Sequence, residues 1–166
     1  MEFFNFFNRP KISLKSIQAI IFDFDGVFTD NKVIVDEDGK ESVTCNRADG
    51  LGIRMFHAKG IPLLILSTET NPVVAQRAKK LVLDVIQGIE DKKAALLIYC
   101  QENRIDPQNI MYIGNDVNDY EVMGIVGYPV APKDAHPKIC RIAKLVLSKK
   151  GGQGVIKDLA EKLINS

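Results

Sequence analysis

Residues 17–30 read Ile17-Gln18-Ala19-Ile20-Ile21-Phe22-Asp23-Phe24-Asp25-Gly26-Val27-Phe28-Thr29-Asp30. The short apolar run over residues 17–24, ending in acids and a glycine, predicts a buried strand that delivers its last residues to one end of a sheet. Two carboxylates two residues apart on an extended chain project to the same side. Gly26 lets the backbone turn sharply, which frees the carbonyl of Asp25 to bind a cation. A lone Asp-x-Asp more often caps a turn. Here the apolar strand before it and the Gly-x-x-Thr-Asp after it favour a working pair. Beside a divalent cation, one ionised carboxylate can attack phosphorus while the other protonates the leaving oxygen and later activates water.

Outward from this stretch the pattern is regular. Residues 32–36 and 41–45 flank Asp38-Gly39, a hairpin signal. Residues 49–59 have helical spacing, with Leu51 and Met55 one turn apart, as are Ile53 and Phe56, and Gly60 as a stop. Strands are then predicted over residues 61–66, 82–86, 110–113, 126–130 and 145–147. They alternate with helices over 71–81, 91–103, 116–123, 137–143 and 155–164. Asn71-Pro72 opens the first of these helices. Ala95, Leu96, Ile98 and Tyr99 are expected to face inward from the second. This alternation implies an α/β, Rossmann-like parallel sheet with helices on both faces and a small β-hairpin insertion. The domain spans residues 17–166, behind an N-terminal arm of residues 1–16. Ligands of such folds sit at the carboxyl ends of the strands, near a topological switch point. Ser67, Lys92, Asn115, Asp116 and Asp119 fall near later strand ends, so they are expected to converge on Asp23 and Asp25.

In that order these segments resemble the four signatures of the haloacid-dehalogenase (HAD) superfamily. The first is the Asp23-x-Asp25 segment. Leu64-Ile65-Leu66-Ser67 is similar to the second, Asp91-Lys92 to the third, and Tyr112-Ile113-Gly114-Asn115-Asp116-Val117-Asn118-Asp119 to the fourth. The resemblance implies a phosphatase with Asp23 as nucleophile and Asp25 as acid and base. It also implies that the Ser67 hydroxyl holds a phosphoryl oxygen and that Lys92, rather than its neighbour Lys93, neutralises nucleophile and phosphate. Mg²⁺ is the implied cofactor, with Asp23, Asp25, Asn115, Asp116 and Asp119 as its expected ligands.

From residue 17 onward the chain is most similar to the small capless phosphatases of phosphorylated 3-deoxy-2-keto sugar acids. The stretch 23–31, the hairpin, Arg47-Ala48-Asp49-Gly50-Leu51-Gly52-Ile53 and Lys150-Gly151-Gly152-Gln153-Gly154 carry that likeness. It implies a homotetramer whose neighbours help to close each site, since a phosphatase without its own lid must exclude water by other means. Phosphatases of 3-deoxy-D-manno-octulosonate (KDO) 8-phosphate usually have Gly-Arg after the second-signature hydroxyl. Here Ser67 is followed by Thr68-Glu69, which resembles instead the phosphatases of nonulosonate 9-phosphates and the C-terminal domains of CMP-sialic acid synthetases. The expected substrate residues are Thr29, Thr68, Glu69, Arg77 and Lys80; the alternative for Arg77 and Lys80 is a solvated helix face. One departure stands out: Gly114-Asn115-Asp116 replaces the usual Gly-Asp-Asp. An Asn oxygen can ligate Mg²⁺ with one negative charge fewer. The alternative reading is therefore a non-catalytic oligomerisation or regulatory domain.

Length and composition fit one ordinary globular domain: 166 residues, 46% hydrophobic, 26% charged, formal net charge +1. With no basic run, neither nucleic acid nor a membrane surface is an expected partner. Cys45, Cys100 and Cys140 are far apart and read as reduced thiols of a cytoplasmic protein. His57 and His136 read as structural or surface residues. Phe3, Phe4, Phe6 and Phe7 lack the flanks of a secretory signal and are expected to dock on the domain or on a partner subunit.

Overall fold

The computed structural model describes residues 12–164. Phe3, Phe4, Phe6 and Phe7 lie outside the described residues. Six strands form one sheet: β1 (Ala19–Phe22), β4 (Leu63–Leu66), β5 (Asp84–Ile86), β6 (Ile110–Ile113), β7 (Tyr128–Ala131) and β8 (Leu145–Val146). Their spatial order is β5-β4-β1-β6-β7-β8, and every pairing is parallel. β2 (Ile34–Val35) and β3 (Glu41–Ser42) form the separate antiparallel hairpin.

The chain leaves β1 toward β4 and β5, then returns past β1 to build β6, β7 and β8. The switch point therefore lies between β1 and β6, paired from Ala19↔Ile110 to Phe22↔Ile113. All four residues of β1 are buried, which is why the segment reads as a continuous apolar run rather than an alternation.

Alternate residues of each strand feed two cores. Ile20, Phe22, Leu63, Ile65, Met111 and Ile113 pack on one face with side chains of α1 (Ala48–His57), α2 (Val73–Leu81) and α6 (Val155–Ile164). Ala19, Ile21, Leu64, Leu66, Ile110 and Tyr112 pack on the other, against α3 (Lys92–Asn103), α4 (Tyr120–Met123) and α5 (Pro137–Ile142). Ile12 and Leu14, in the stretch read as an arm, pack against the first of these cores.

Two helical faces differ from expectation. In α3 the buried residues are Lys92, Leu96 and Cys100, whereas Ile98 is 57% exposed. Ile98 is two residues from both Leu96 and Cys100, about 200° around the helix from the first. In α1, Ile53 and Phe56 are buried and Leu51 is exposed. The predicted helix 116–123 is a 3-10 turn, Val117–Asp119, leading into the single turn of α4.

Below the Asp-x-Asp segment, Phe28 packs edge-on to Phe22 at 5.6 Å and stacked on Phe24 at 5.7 Å. These three buried rings anchor the loop that carries the carboxylates. The glycine-rich stretch 150–154 braces it from the other side. Gly152 N–H donates to Val27 O at 3.2 Å, and a Cβ at Gly151 would collide with the carbonyl of Gly26. Only glycine permits so close a backbone approach.

Candidate active site

The three central strands end in site residues: β1 runs into Asp23, β4 into Ser67 and β6 into Gly114-Asn115. A pocket of about 230 Å³ opens there, lined by Asp23, Asp25, Ser67, Thr68, Asn115 and Asp116, with Asn31 and Asn118 at its edge.

Lys92 enters from the first position of α3, whose N-cap Asp91 accepts from Ala94 N–H. Its ammonium lies 2.8 Å from Asp23 Oδ1 and 2.7 Å from Asp119 Oδ1. All three side chains are buried. Lys93 points outward, 3.9 Å from Glu121, so Lys92 is the lysine at the site. Burial opposes the Lys92 charge, but Asp23 and Asp119 outweigh it and raise its pKa. The Asp23 carboxyl is pushed up to about 8, first by burial and then by Asp119, against the pull of Lys92 and of Phe24 N–H. A divalent charge beside Asp23 would act in the opposite direction and favour the carboxylate.

Asp119, expected as a metal ligand, has another task. Its Oδ1 accepts from Lys92 and from the Tyr112 hydroxyl at 2.8 Å, and its Oδ2 from the N–H groups of Asn115 at 2.9 Å and Asp116 at 3.3 Å. Four donors saturate the carboxylate and leave it no free face for a cation. It fixes Lys92 and the 114–119 loop instead. Gly114 lets it come close, since a Cβ there would lie 2.7 Å from Asp119 Cβ.

Asp23 Oδ2, the main-chain carbonyl of Asp25 and the side-chain amide of Asn115 converge. The inward end of that amide lies 3.1 Å from Asp23 Oδ2 and 2.9 Å from Asp25 O; its nitrogen there donates to both, whereas its oxygen there faces only acceptors. Three facing acceptors repel one another unless a cation joins them, and hard oxygen donors of this kind suit Mg²⁺. Among the described residues no group of three or more His, Cys, Asp or Glu is arranged for a metal. The set here uses one carboxylate, one amide and one carbonyl. Gly26 makes it possible with φ +77°, where a Cβ would collide with the Asn115 amide. Asp116 stands at the pocket wall, its Oδ1 accepting from Val117 N–H at 2.7 Å.

Thr29, expected at the substrate, is fully buried beneath the pocket. Its hydroxyl donates to Asp25 Oδ1 at 3.1 Å and accepts from Gly26 and Asn31 N–H. Burial raises the pKa of Asp25; the Thr29 hydrogen bond opposes this, and the charge of Glu69 adds to the rise. Ser67 is buried, with its hydroxyl accepting from Glu69 N–H at 3.1 Å. Thr68 lines the pocket as expected.

Glu69, Arg77 and Lys80 are not brought into the pocket lining of their own chain. The Glu69 carboxylate accepts from Thr70 and Asn71 N–H. Arg77 donates to Asn46 O at 3.1 Å, and Lys80 is exposed. The sequence reading gave no role to Tyr112 or Asn31. Tyr112 is the one polar side chain in β6, and a lone hydroxyl in an apolar strand was the available signal; in the structure it is fully buried. Asn31 adopts φ +66° at the pocket edge, a left-handed conformation that asparagine tolerates better than most residues.

A Rossmann-like sheet with this acid–lysine cluster at its switch point suits a phosphoric monoester hydrolase, and the comparisons with known proteins support that class. The sequence profile described as haloacid dehalogenase-like hydrolase matches residues 64–159. The 3-deoxy-D-manno-octulosonate 8-phosphate phosphatase of Salmonella typhi is 31% identical over 151 residues, covering 90% of this chain and 80% of that protein. Among solved structures, a HAD family hydrolase candidate from Streptomyces avermitilis superposes with TM-score 0.91 at 43% identity, over 94% of this chain and 90% of that one. The Moraxella catarrhalis 3-deoxy-D-manno-octulosonate 8-phosphate phosphatase, solved with magnesium, phosphate and KDO, gives 0.86 at 27% identity, over 92% and 90%. The chain belongs to the haloacid dehalogenase-like hydrolase family.

Proposed function

We propose that this chain is a Mg²⁺-dependent phosphatase that hydrolyses the phosphate monoester of a 3-deoxy-2-keto sugar acid through an aspartyl-phosphate on Asp23. One observation carries the reading: buried Asp23 has one oxygen on Lys92, while its other oxygen faces the Asp25 carbonyl and Asn115 at the mouth of a polar pocket. Bound Mg²⁺, held by Asp23, the Asp25 carbonyl and Asn115, supplies positive charge to the nucleophile and to the phosphoryl oxygens. Asp116, on the pocket wall, would hold it through water.

Lys92 fixes the Asp23 carboxylate and neutralises charge as phosphorus approaches. The Ser67 hydroxyl orients a phosphoryl oxygen. As the bond from Asp23 to phosphorus forms, the bond to the sugar oxygen breaks, and Asp25 gives that oxygen its proton. Burial, which keeps the Asp25 carboxyl above the ordinary range, suits it to hold a proton for this step. Asp25 then takes a proton from water, which attacks phosphorus, releases phosphate and regenerates Asp23.

The likeness to KDO 8-phosphate phosphatases favours KDO 8-phosphate as substrate. Glu69, where an arginine would serve the KDO carboxylate, favours a nonulosonate 9-phosphate such as that of KDN or an N-acylneuraminate. Steady-state assays on the phosphates of KDO, KDN and N-acetylneuraminate, with Mg²⁺ or with chelator, decide between them. We expect Mg²⁺-dependent turnover of at least one, and at least about a thousandfold loss in Asp23→Asn. Wild type no faster than Asp23→Asn on all three would favour the assembly role, for which Asn115 is the specific argument. The working unit is a homotetramer in the cytoplasm, and Arg77 and Lys80 serve a neighbour's site. The exposed apolar residues Val33, Ile34 and Val35 on the hairpin support association. No helix among the described residues is long and apolar enough to cross a membrane.

A further inference from the structure

The amide of Asn115 faces Asp23 and Asp25 and can present either end to them. With oxygen inward it completes the set of three oxygens described above. Turned end for end, its nitrogen donates to Asp23 Oδ2 at 3.1 Å and to Asp25 O at 2.9 Å. The two ends have nearly the same shape, so either can enter beside Gly26, but with oxygen inward the nitrogen faces only donors, so nitrogen inward is the satisfied orientation without a cation. An aspartate at this position could only accept. Asparagine can serve as a ligand, or it can stand in for the cation by satisfying both acceptors itself.

Charge points the same way. The buried cluster holds two carboxylates, Asp23 and Asp119, and one ammonium, Lys92. A divalent cation joined by a neutral amide and a neutral carbonyl takes these three buried groups from net −1 to net +1, with only the half-buried Asp25 and Asp116 on the pocket wall to offset it. An incoming phosphate dianion reverses that sign. A carboxylate at position 115 would balance the cation without phosphate.

We propose that Asn115 latches the cation site through its own amide nitrogen, and that Mg²⁺ and phosphate therefore bind cooperatively, each weakly without the other. This rests on the phosphatase reading and adds an order of assembly to it: the amide turns oxygen-inward when cation and phosphoryl group arrive together. Linkage requires phosphate to gain from Mg²⁺ the factor that Mg²⁺ gains from phosphate.

The test is calorimetric titration of Mg²⁺ into wild type and Asn115→Asp, each with and without saturating inorganic phosphate. It is paired with ¹⁵N–¹H spectra of the Asn115 side-chain NH₂ in wild type. Phosphate should tighten Mg²⁺ binding to wild type about tenfold or more. Asn115→Asp should bind Mg²⁺ tightly alone, with less than about threefold further gain from phosphate. The NH₂ pair should exchange slowly with solvent in the cation-free protein and shift only when both ligands are present. Equal Mg²⁺ affinity of wild type with and without phosphate, or the same phosphate dependence in both proteins, overturns the latch and leaves the site reading standing. Absence of Mg²⁺ binding under every condition overturns both. If Asn115→Asp does not fold, the wild-type titrations and the amide exchange decide alone: a fast-exchanging NH₂ pair, or phosphate-independent Mg²⁺ binding, is fatal.

Discussion

Thr29 shows how much of the chemistry depends on a residue that substrate never meets. Its hydroxyl donates to Asp25 and accepts from two backbone N–H groups, so it fixes both the side chain and the loop. Thr29→Val keeps the shape and removes all three bonds. Losing a donor to the carboxylate raises the pKa of Asp25 further, because the ionised form loses its partner. Asp25 must be protonated to serve the leaving group, so the alkaline limb of kcat/KM should move to higher pH. The plateau should fall about 10- to 100-fold as the carboxyl loses its fixed position. A pH–rate profile checks both effects. Asp119 offers the matching lesson for lysine: a carboxylate that looks like a metal ligand is spent on holding Lys92 against Asp23.

Between elements, α1 packs closely on α6. A Cβ on Gly52 would sit 2.7 Å from the backbone of Ile156 and Lys157, whereas one on Gly50 would meet only side-chain ends, Leu81 Cδ2 at 3.4 Å and Arg54 Nη1 at 3.9 Å. Gly52→Ala must push two helices apart and should cost about 1–3 kcal/mol. Gly50→Ala should be neutral or stabilise by up to about 1 kcal/mol. Urea denaturation of the pair tests the difference. Asp49 joins the same helices: its Oδ1 accepts from Ile156 N–H at 3.0 Å in the first turn of α6, where a negative charge is favoured. Among the described residues its Oδ2 has no partner within hydrogen-bond geometry, Lys157 N–H acting on the carboxylate only weakly. Burial, opposed by hydrogen bonds from Ile156 and Lys157 N–H and by Arg77, lifts its carboxyl to about 6 from 3.8. A raised folded pKa means that the folded state holds the proton more tightly. The stabilising contribution is complete below the unfolded value and is lost as pH rises from about 4 to about 6. Asp49→Asn removes that titration. The stability of wild type relative to Asp49→Asn should therefore fall over this window, by at most about 3 kcal/mol, and stay level above it. Denaturation curves across pH 4–8 report it.

At the scale of the whole molecule, the exposed hairpin is the feature a monomer explains least. Ile34 is 67% exposed and Val35 58%, on a two-residue strand that no helix covers. If this face holds copies together, wild type should run as a tetramer in size-exclusion chromatography with light scattering. Ile34→Asp should then run as a smaller species with lower turnover. A monomeric wild type would remove the neighbour from the account of substrate binding. Much of the architecture was legible because it is written locally. Apolar runs, helical spacing and turn residues set the order of strands and helices, and the parallel order then carries Asp23, Ser67 and Asn115 to the carboxyl end of the sheet. Partner choice was not legible, because it is settled between residues remote in sequence. Lys92 reaches both Asp23 and Asp119, Asp49 reaches Ile156, and Arg77 turns to Asn46. The amino-acid order alone determined which chemical groups arrive at the switch point. Only the tertiary structure decided which acid faces a cation and which is consumed by lysine, because that depends on which hydrogen-bond donors fill each buried oxygen first.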